Sequence, residues 1–194
     1  MTKIRDRDQL VEAAAKVFAE KGFDAASMED IAAEVGVLQG SLYYHVGSKA
    51  ELLFLVQRRR LMAINAALAE IADSNDAPDL KLKRAIAEHL HHLETYYPES
   101  RNWFTEPGRG SESADARDDI RDLNHTYGAT WVRIIREGVD AGAFRPEVDP
   151  GVIARAILGM CNWVPRWYRR DGSRTIDQII GDITSMAVGG IVRR

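Results

Sequence analysis

The sequence predicts an all-α fold of about nine helices, with an N-terminal three-helix helix-turn-helix domain and a C-terminal helical domain. Apolar residues recur at helical spacing along most of the chain, and no segment shows the apolar–polar alternation of a half-buried strand. Clusters of proline and glycine then divide the chain into separate helical segments.

Three short helices are expected before residue 48. The first spans about 6–21 and stops at Gly22. The second begins at Ser27 and ends at Gly36, and the third covers about 38–45 after a tight turn. Two short helices joined in this way form the helix-turn-helix arrangement.

Two serines are placed to cap helices. Ser27 is followed three residues later by Asp30, a variant of the capping box in which aspartate replaces glutamate. Ser48 is followed by Glu51 at the same spacing, which predicts a full capping box at the start of the fourth helix.

The rest of the chain reads as longer helices. We expect a connecting helix over 49–74 and two domains, a helix-turn-helix domain over 1–48 and a second helical domain over 49–194. The expected helices that follow the connecting helix span about 79–96, 98–104, 114–141, 150–169 and 174–191.

Composition limits the function. The chain has 194 residues, 45% hydrophobic content and a formal net charge of −3, so it buries a full core but is no polybasic nucleic-acid coat. The lone Cys161 excludes an internal disulfide framework and a cysteine-rich zinc site. No apolar run reaches the roughly 18 residues of a membrane span, and the N-terminus lacks the apolar core of a signal peptide. We therefore expect a cytoplasmic protein with no membrane partner.

The predicted third helix carries side chains that suit DNA. Gln39 can form two hydrogen bonds with adenine in the major groove, and Ser41 can bond either a base or a phosphate. Leu38 can touch a thymine methyl group. The residues that end the helix can donate hydrogen bonds to phosphate oxygens, and they are Tyr43, Tyr44 and His45.

Positions near the third helix are also consistent with a DNA-binding domain. Leu42 is spaced to fill the core beneath the third helix, and the helix N-termini at Ser27 and Lys49 offer backbone N–H groups to phosphates. The alternative is an ordinary helical bundle, in which Tyr43 and Tyr44 are core aromatic residues.

Two runs, from Phe18 to Ala32 and from Val35 to Leu53, resemble the N-terminal signature of the TetR family of transcriptional regulators. Leu38 departs from the small polar residue that the family often has there, which affects the bases that are read. Val46 departs from the usual phenylalanine, which leaves the fold intact. The resemblance implies binding to double-stranded DNA, and with the chemistry above it gives these DNA-contacting residues: Ser27, Leu38, Gln39, Ser41, Leu42, Tyr43, Tyr44, His45 and Lys49.

The resemblance also implies a homodimer that represses transcription from a palindromic operator and is released by a small-molecule effector. The last two predicted helices have broad apolar faces, and two such helices from each subunit can form a four-helix interface. The alternative is that these faces are buried only within their own chain. The predicted interface residues are Ile153, Ile157, Ile176, Ile179, Ile180, Ile183, Met186 and Ala187.

An aromatic and arginine-rich segment, residues 159–170, is the candidate effector site. Trp163 and Trp167 share one helical face, as do Arg166 and Arg170. Guanidinium groups beside aromatic rings suit an anionic ligand with a flat or apolar part, although packed tryptophans and solvated arginines are the simpler interpretation. The segment resembles one in TetR-type sensors of acyl-CoA thioesters from lipid or steroid breakdown. The residues expected to hold the apolar part are Trp103, Phe104, Tyr127, Trp131 and Met160.

No enzyme signature is present, neither a glycine-rich phosphate loop nor a nucleophile elbow, so we expect no catalysis and no cofactor. His89 and His92 have a possible ligand spacing, but no cysteine completes a site, so we expect packed or solvated histidines and no metal. A helical scaffold or ligand-binding protein without DNA binding is the remaining alternative. It predicts no salt-dependent affinity for DNA.

Overall fold

The computed structural model describes residues 7–95 and 113–193, and these residues form eight α-helices. The all-α prediction is confirmed, since the extended pairing within the described residues is an isolated bridge between Phe144 and Val192. The helix expected over 98–104 lies outside the described residues. The helices are α1 (Arg7–Ala25), α2 (Met28–Val35), α3 (Gln39–Leu42), α4 (Lys49–Asp73), α5 (Pro78–Thr95), α6 (Ala114–Asp140), α7 (Pro150–Trp167) and α8 (Ile176–Ile191).

The cap predicted for α2 is present in both halves. The hydroxyl of Ser27 accepts from the backbone N–H of Asp30 at 3.1 Å, and the Asp30 carboxylate accepts from the Ser27 N–H at 2.9 Å. Hydrogen bonds from Lys21 and Ser27 lower the pKa of Asp30 to about 2, so this cap stays charged at neutral pH. Gly36 ends the helix with a φ of 77°, a conformation that glycine adopts without strain.

The serine half of the cap predicted for α4 is present. Ser48 accepts from the backbone N–H of Glu51 at 3.0 Å as expected. The Glu51 carboxylate, however, accepts from the N–H of Gly47 at 2.7 Å and pairs with Arg7 through its other oxygen. The Glu51 carboxylate therefore ties the start of α4 to the residue before its cap and to the start of α1.

Helix α3 is shorter than the predicted span of 38–45. Only Gln39–Leu42 is regular helix, and the chain continues in hydrogen-bonded turns, with the N–H groups of His45 and Val46 donating to the Leu42 carbonyl at 2.8 and 3.0 Å. Glycine and tyrosine are weaker helix formers than alanine or leucine, so the residues in and after α3 give it little intrinsic support.

The described residues fall into two compact units. The first holds residues 7–61 and 113–122, and the second holds 62–95 and 123–193. Helices α4 and α6 each contribute residues to both units. The core of the first unit is formed by buried side chains of α1 and α2, of the α3 region and of the start of α4, and it includes Leu10, Phe18, Ile31, Leu42, Val46 and Leu52.

In the second unit, α5 packs against both α7 and α8. The buried Lys81 of α5 donates to the carbonyl of Ala72 at 2.6 Å and to Glu137 of α6 at 3.1 Å, so its charge is paired. The turn after α6 meets the end of α8, where the Arg145 N–H donates to the Ile191 carbonyl at 2.8 Å. None of the helices in the described residues is long and apolar enough to cross a membrane.

Candidate DNA-reading surface and effector region

The turn between α2 and α3 leads into an exposed row of side chains. Leu38 is 62% exposed and Tyr44 is 91% exposed, which is unusual for side chains of this size. Gln39, Tyr43 and His45 are exposed as well. These residues, with the half-buried Ser41, form what we call the reading surface.

Leu42 is fully buried in the core of the first unit, as is Val46. Its side chain therefore faces away from the reading surface. This corrects the expectation that Leu42 contacts DNA and agrees with its expected role as the plug beneath α3. An apolar residue at this position anchors the short helix, because four helical residues have little stability of their own.

The two helix N-termini expected to meet phosphates are both capped. Ser27 is exposed at the start of α2. Lys49 begins α4, but its ammonium group donates to the backbone carbonyls of Phe23 at 2.7 Å and Ala26 at 2.8 Å. Sequence reasoning missed these acceptors because they lie more than twenty residues earlier in the chain.

The aromatic and arginine-rich segment lies on the outside of the second unit. Trp163 is 57% exposed and Trp167 is 52% exposed. The Arg166 guanidinium lies over the Trp163 ring, 4.5 Å from its centroid, and Arg170 donates to the backbone carbonyl of Glu94 at the end of α5. One arginine of the segment thus lies beside an aromatic ring, the combination that suits an anionic ligand with an apolar part.

Beneath this segment, a polar cluster joins three helices of the second unit. His89 of α5 forms hydrogen bonds with the Tyr127 hydroxyl at 2.7 Å and with the Asn162 side-chain oxygen at 2.9 Å. The fully buried Trp131 lies edge-on to the His89 ring, with centroids 6.1 Å apart. Met160 is half-buried, and the expected ligand residues Trp103 and Phe104 lie outside the described residues.

Burial sets the protonation of this cluster. It lowers the pKa of His89 to about 4 and raises the pKa of Tyr127, so both side chains are neutral at pH 7. Since the Asn162 oxygen can only accept, the His89 Nε2 donates and its Nδ1 accepts from the Tyr127 hydroxyl. Burial also raises the pKa of Cys161 to about 12, which makes it an unreactive thiol.

Sequence reasoning missed Asn162 and the role of His89. The signal for His89 was its place among the apolar positions of α5, which predicts a buried side chain, but nothing in the sequence names a partner 73 residues away. A neighbouring histidine of α5, the exposed His91, pairs with Asp177 of α8. Across residues 7–95 and 113–193, no three His, Cys, Asp or Glu side chains are grouped to hold a metal ion.

The predicted dimer residues divide into two groups. Five are buried within one protomer, two are half-buried (Ile153 and Ile180), and Met186 is exposed. The buried residues pack in the core of the second unit, which is the alternative that the sequence left open for them. They are Ile157, Ile176, Ile179, Ile183 and Ala187.

Known proteins are similar to this chain in both sequence and fold. The HTH-type transcriptional repressor KstR2 of Mycobacterium tuberculosis is 33% identical over 195 residues, covering 96% of this chain and 93% of that protein. The solved structure of this ketosteroid transcriptional regulator has a TM-score of 0.81 at 30% identity, covering 99% of this chain and 98% of that one. PfmR, a TetR family transcriptional regulator from Thermus thermophilus, has a TM-score of 0.81 at 33% identity, covering 97% of this chain and 100% of that one.

Two family descriptions match the chain itself. Residues 10–56 match the bacterial regulatory proteins of the tetR family, and residues 75–191 match the tetracyclin repressor-like C-terminal domain. The relatives are regulators of transcription rather than enzymes. The chain therefore belongs to the TetR family of DNA-binding transcriptional repressors.

Proposed function

We propose that this repressor works as a homodimer on a palindromic operator and is released by a small-molecule effector, an acyl-CoA thioester. In this proposal residues 1–48 bind DNA, residues 49–194 bind the effector and dimerise, and α4 links the two functions. The observation that carries the proposal is the exposed reading surface, which leaves large apolar and aromatic side chains in water until a partner covers them.

The reading surface supports a division of roles. Leu38, Gln39 and Ser41 come first and have the chemistry to contact base edges. Tyr43, Tyr44 and His45 follow and are suited to phosphate oxygens. The surface carries few formal charges, so we expect its specificity to depend on shape and hydrogen bonding more than on net charge.

The exposed faces of α7 and α8 support a two-fold dimer. On α7 the exposed positions Val152, Ala156 and Gly159 recur at helical spacing. On α8 a strip of three small residues and Met186 is exposed, so two helices can approach closely there. We call this strip the small-residue face, and it consists of Gly181, Ser185, Met186 and Gly189.

The effector chemistry follows from the segment above the polar cluster. Arg166 and Arg170 are exposed cations suited to the phosphates of coenzyme A. Beneath them, the neutral polar cluster offers hydrogen bonds within an apolar surrounding, which suits a ring or chain carrying a carbonyl or hydroxyl group. Relatives named for ketosteroids and for fatty acid metabolism support a lipid-derived acyl group.

Release requires only that the effector prefers the form that does not bind DNA. A differential of about 1–3 kcal/mol changes operator affinity by roughly 5–150-fold. Helix α4 contributes residues to both the first and the second unit. A tilt of this helix would therefore change the separation of the two reading surfaces of the dimer. Both half-sites then cannot be bound at once.

The test is a titration of the protein–operator complex with acyl-CoA thioesters that carry aliphatic, steroid-derived and aromatic acyl groups. We expect release by at least one ester, and none by free coenzyme A or by the matching free acid. Failure of every ester, together with release by an uncharged compound, would contradict the acyl-CoA proposal.

A further inference from the structure

Lys49 joins the start of α4 to the connection between α1 and α2. Its ammonium donates to the carbonyls of Phe23 at 2.7 Å and Ala26 at 2.8 Å, with a longer contact to Asp24 at 3.4 Å, and it lies 4.5 Å from the centroid of the Phe23 ring. An ammonium has three hydrogens, and three carbonyl oxygens surround it here. We call this arrangement the Lys49 clamp.

Phe23 and Asp24 lie at the carboxyl end of α1, where helical carbonyls lack intrahelical partners and carry partial negative charge, and Ala26 is the next residue after the helix. A cation placed there satisfies them. Moving the ammonium to a DNA phosphate would leave these carbonyls without their donor, which costs free energy where they are shielded from water. The geometry therefore favours the clamp over a phosphate contact.

The clamp also connects two capped helix ends. Ala26 immediately precedes Ser27, which is fixed by its reciprocal bonds with Asp30. At the other end, Lys49 follows Ser48, the cap of α4. One side chain thus links the N-terminus of α2 to the N-terminus of α4 within the first unit.

We infer that Lys49 is a positioning residue, which sets the spacing between the two helix N-termini that contact the DNA backbone and does not bind a phosphate itself. The inference rests on the proposed DNA-reading function. It replaces the expectation that the Lys49 side chain faces DNA, and it leaves the backbone N–H groups at the start of α4 as the phosphate donors.

The test uses Lys49→Met in the full-length protein, because methionine keeps an unbranched side chain but cannot donate. The probe is a duplex selected by the wild-type protein from a randomised pool, with a random duplex for comparison. We expect about tenfold to hundredfold weaker binding of the selected duplex. We also expect the affinity to depend on salt concentration as it does in the wild type, because no charged contact with DNA is lost.

Lys16→Met is the matched control, because it removes the same charge from the same unit but breaks only the exposed pair with Glu34. We expect its binding to stay within about twofold of the wild type. Titration to stoichiometry gives the folded, active fraction of each variant. If Lys49→Met does not fold, Lys49→Gln replaces it, with a smaller loss and the same unchanged salt dependence.

Four results would overturn the inference. A salt slope that is smaller than that of the wild type by about 0.9 would make Lys49 a phosphate ligand. A lower melting temperature with unchanged affinity of the folded protein, or an equal loss in Lys16→Met, would leave no positioning role. If the wild-type protein selects no duplex at all, the proposed function itself fails, and the inference fails with it.

Discussion

At the scale of single residues, local partners were predictable and distant ones were not. The Ser27–Asp30 cap follows from a spacing of three residues, because the first turn of a helix brings these groups together. The partners of Lys49 and His89 lie 23 and 73 residues away along the chain, at Ala26 and Asn162, and no pattern in the sequence connects them.

The polar cluster makes stability depend on pH. The pKa of His89 is about 4 in the folded protein and near 6.5 in the unfolded chain, so the unfolded chain binds more protons between these values. The stabilisation is fully present above pH 6.5 and is lost as the pH falls towards 4. The loss is on the order of 3 kcal/mol.

Chemical denaturation between pH 4 and 7 measures this effect. His89→Gln is the matched variant, because an amide keeps one donor and one acceptor but does not titrate in this range. We expect a flatter stability profile for the variant than for the wild type. Equal slopes would mean that the buried imidazole is not responsible.

The reading surface predicts two distinct mutational effects. Gln39→Ala removes a base contact, so we expect relaxed specificity at one or two base pairs with little change elsewhere. Tyr43→Phe removes one hydroxyl that we assign to a phosphate, so we expect uniformly weaker binding to all sequences. Binding to a panel of single-base variants of the operator measures both, and identical profiles would show the assignment to be wrong.

At the scale of helices, the presence of a helix was easier to predict than the residues at which it begins and ends. Helical spacing and glycine stops place α1 and α2 within a few residues of their predicted bounds. The short α3 was overestimated, because hydrogen-bonded turns continue its path after regular helix ends. Which residues on an apolar face meet the chain's own core also depends on tertiary packing, as the buried isoleucines of α8 illustrate.

Two glycines of α6 should respond to alanine in opposite ways. A Cβ at Gly138 would lie 2.2 Å from the ring of Phe144, which is fully buried, whereas a Cβ at Gly128 would meet nothing within 4 Å. We expect Gly138→Ala to lower the free energy of unfolding by roughly 1–3 kcal/mol. Gly128→Ala should raise it by up to about 1 kcal/mol. Thermal or urea unfolding of both variants checks this, and a destabilisation by both would contradict the packing at Phe144.

At the scale of the whole molecule, family and fold were predictable from the N-terminal signature and the helical spacing. The dimer face stays a proposal, because a single chain's apolar pattern does not separate its own core from a surface that a partner covers. The burial of each side chain in the structure distinguishes the exposed faces of α7 and α8 from the residues in the protomer's own core.

This face predicts the effect of a charge at the proposed interface. Met186→Lys places a cation on the small-residue face, so we expect a shift towards monomer in sedimentation and a loss of operator binding at concentrations where the wild-type protein is dimeric. Ala129→Lys adds the same charge at an exposed site on α6 and should leave the dimer unchanged. A dimeric Met186→Lys variant would move the interface elsewhere.

The most direct test of the central proposal is selection of duplexes from a randomised pool by the full-length protein, followed by binding measurements across a range of salt concentrations. We expect a palindrome with half-site centres about 34–36 Å apart or a multiple of this. Its affinity should exceed that of random DNA by about a thousandfold or more and should fall steeply with salt. If no duplex is enriched from the pool, or if the affinity is independent of sequence and salt, the assignment of residues 38–45 as a DNA-reading surface is contradicted.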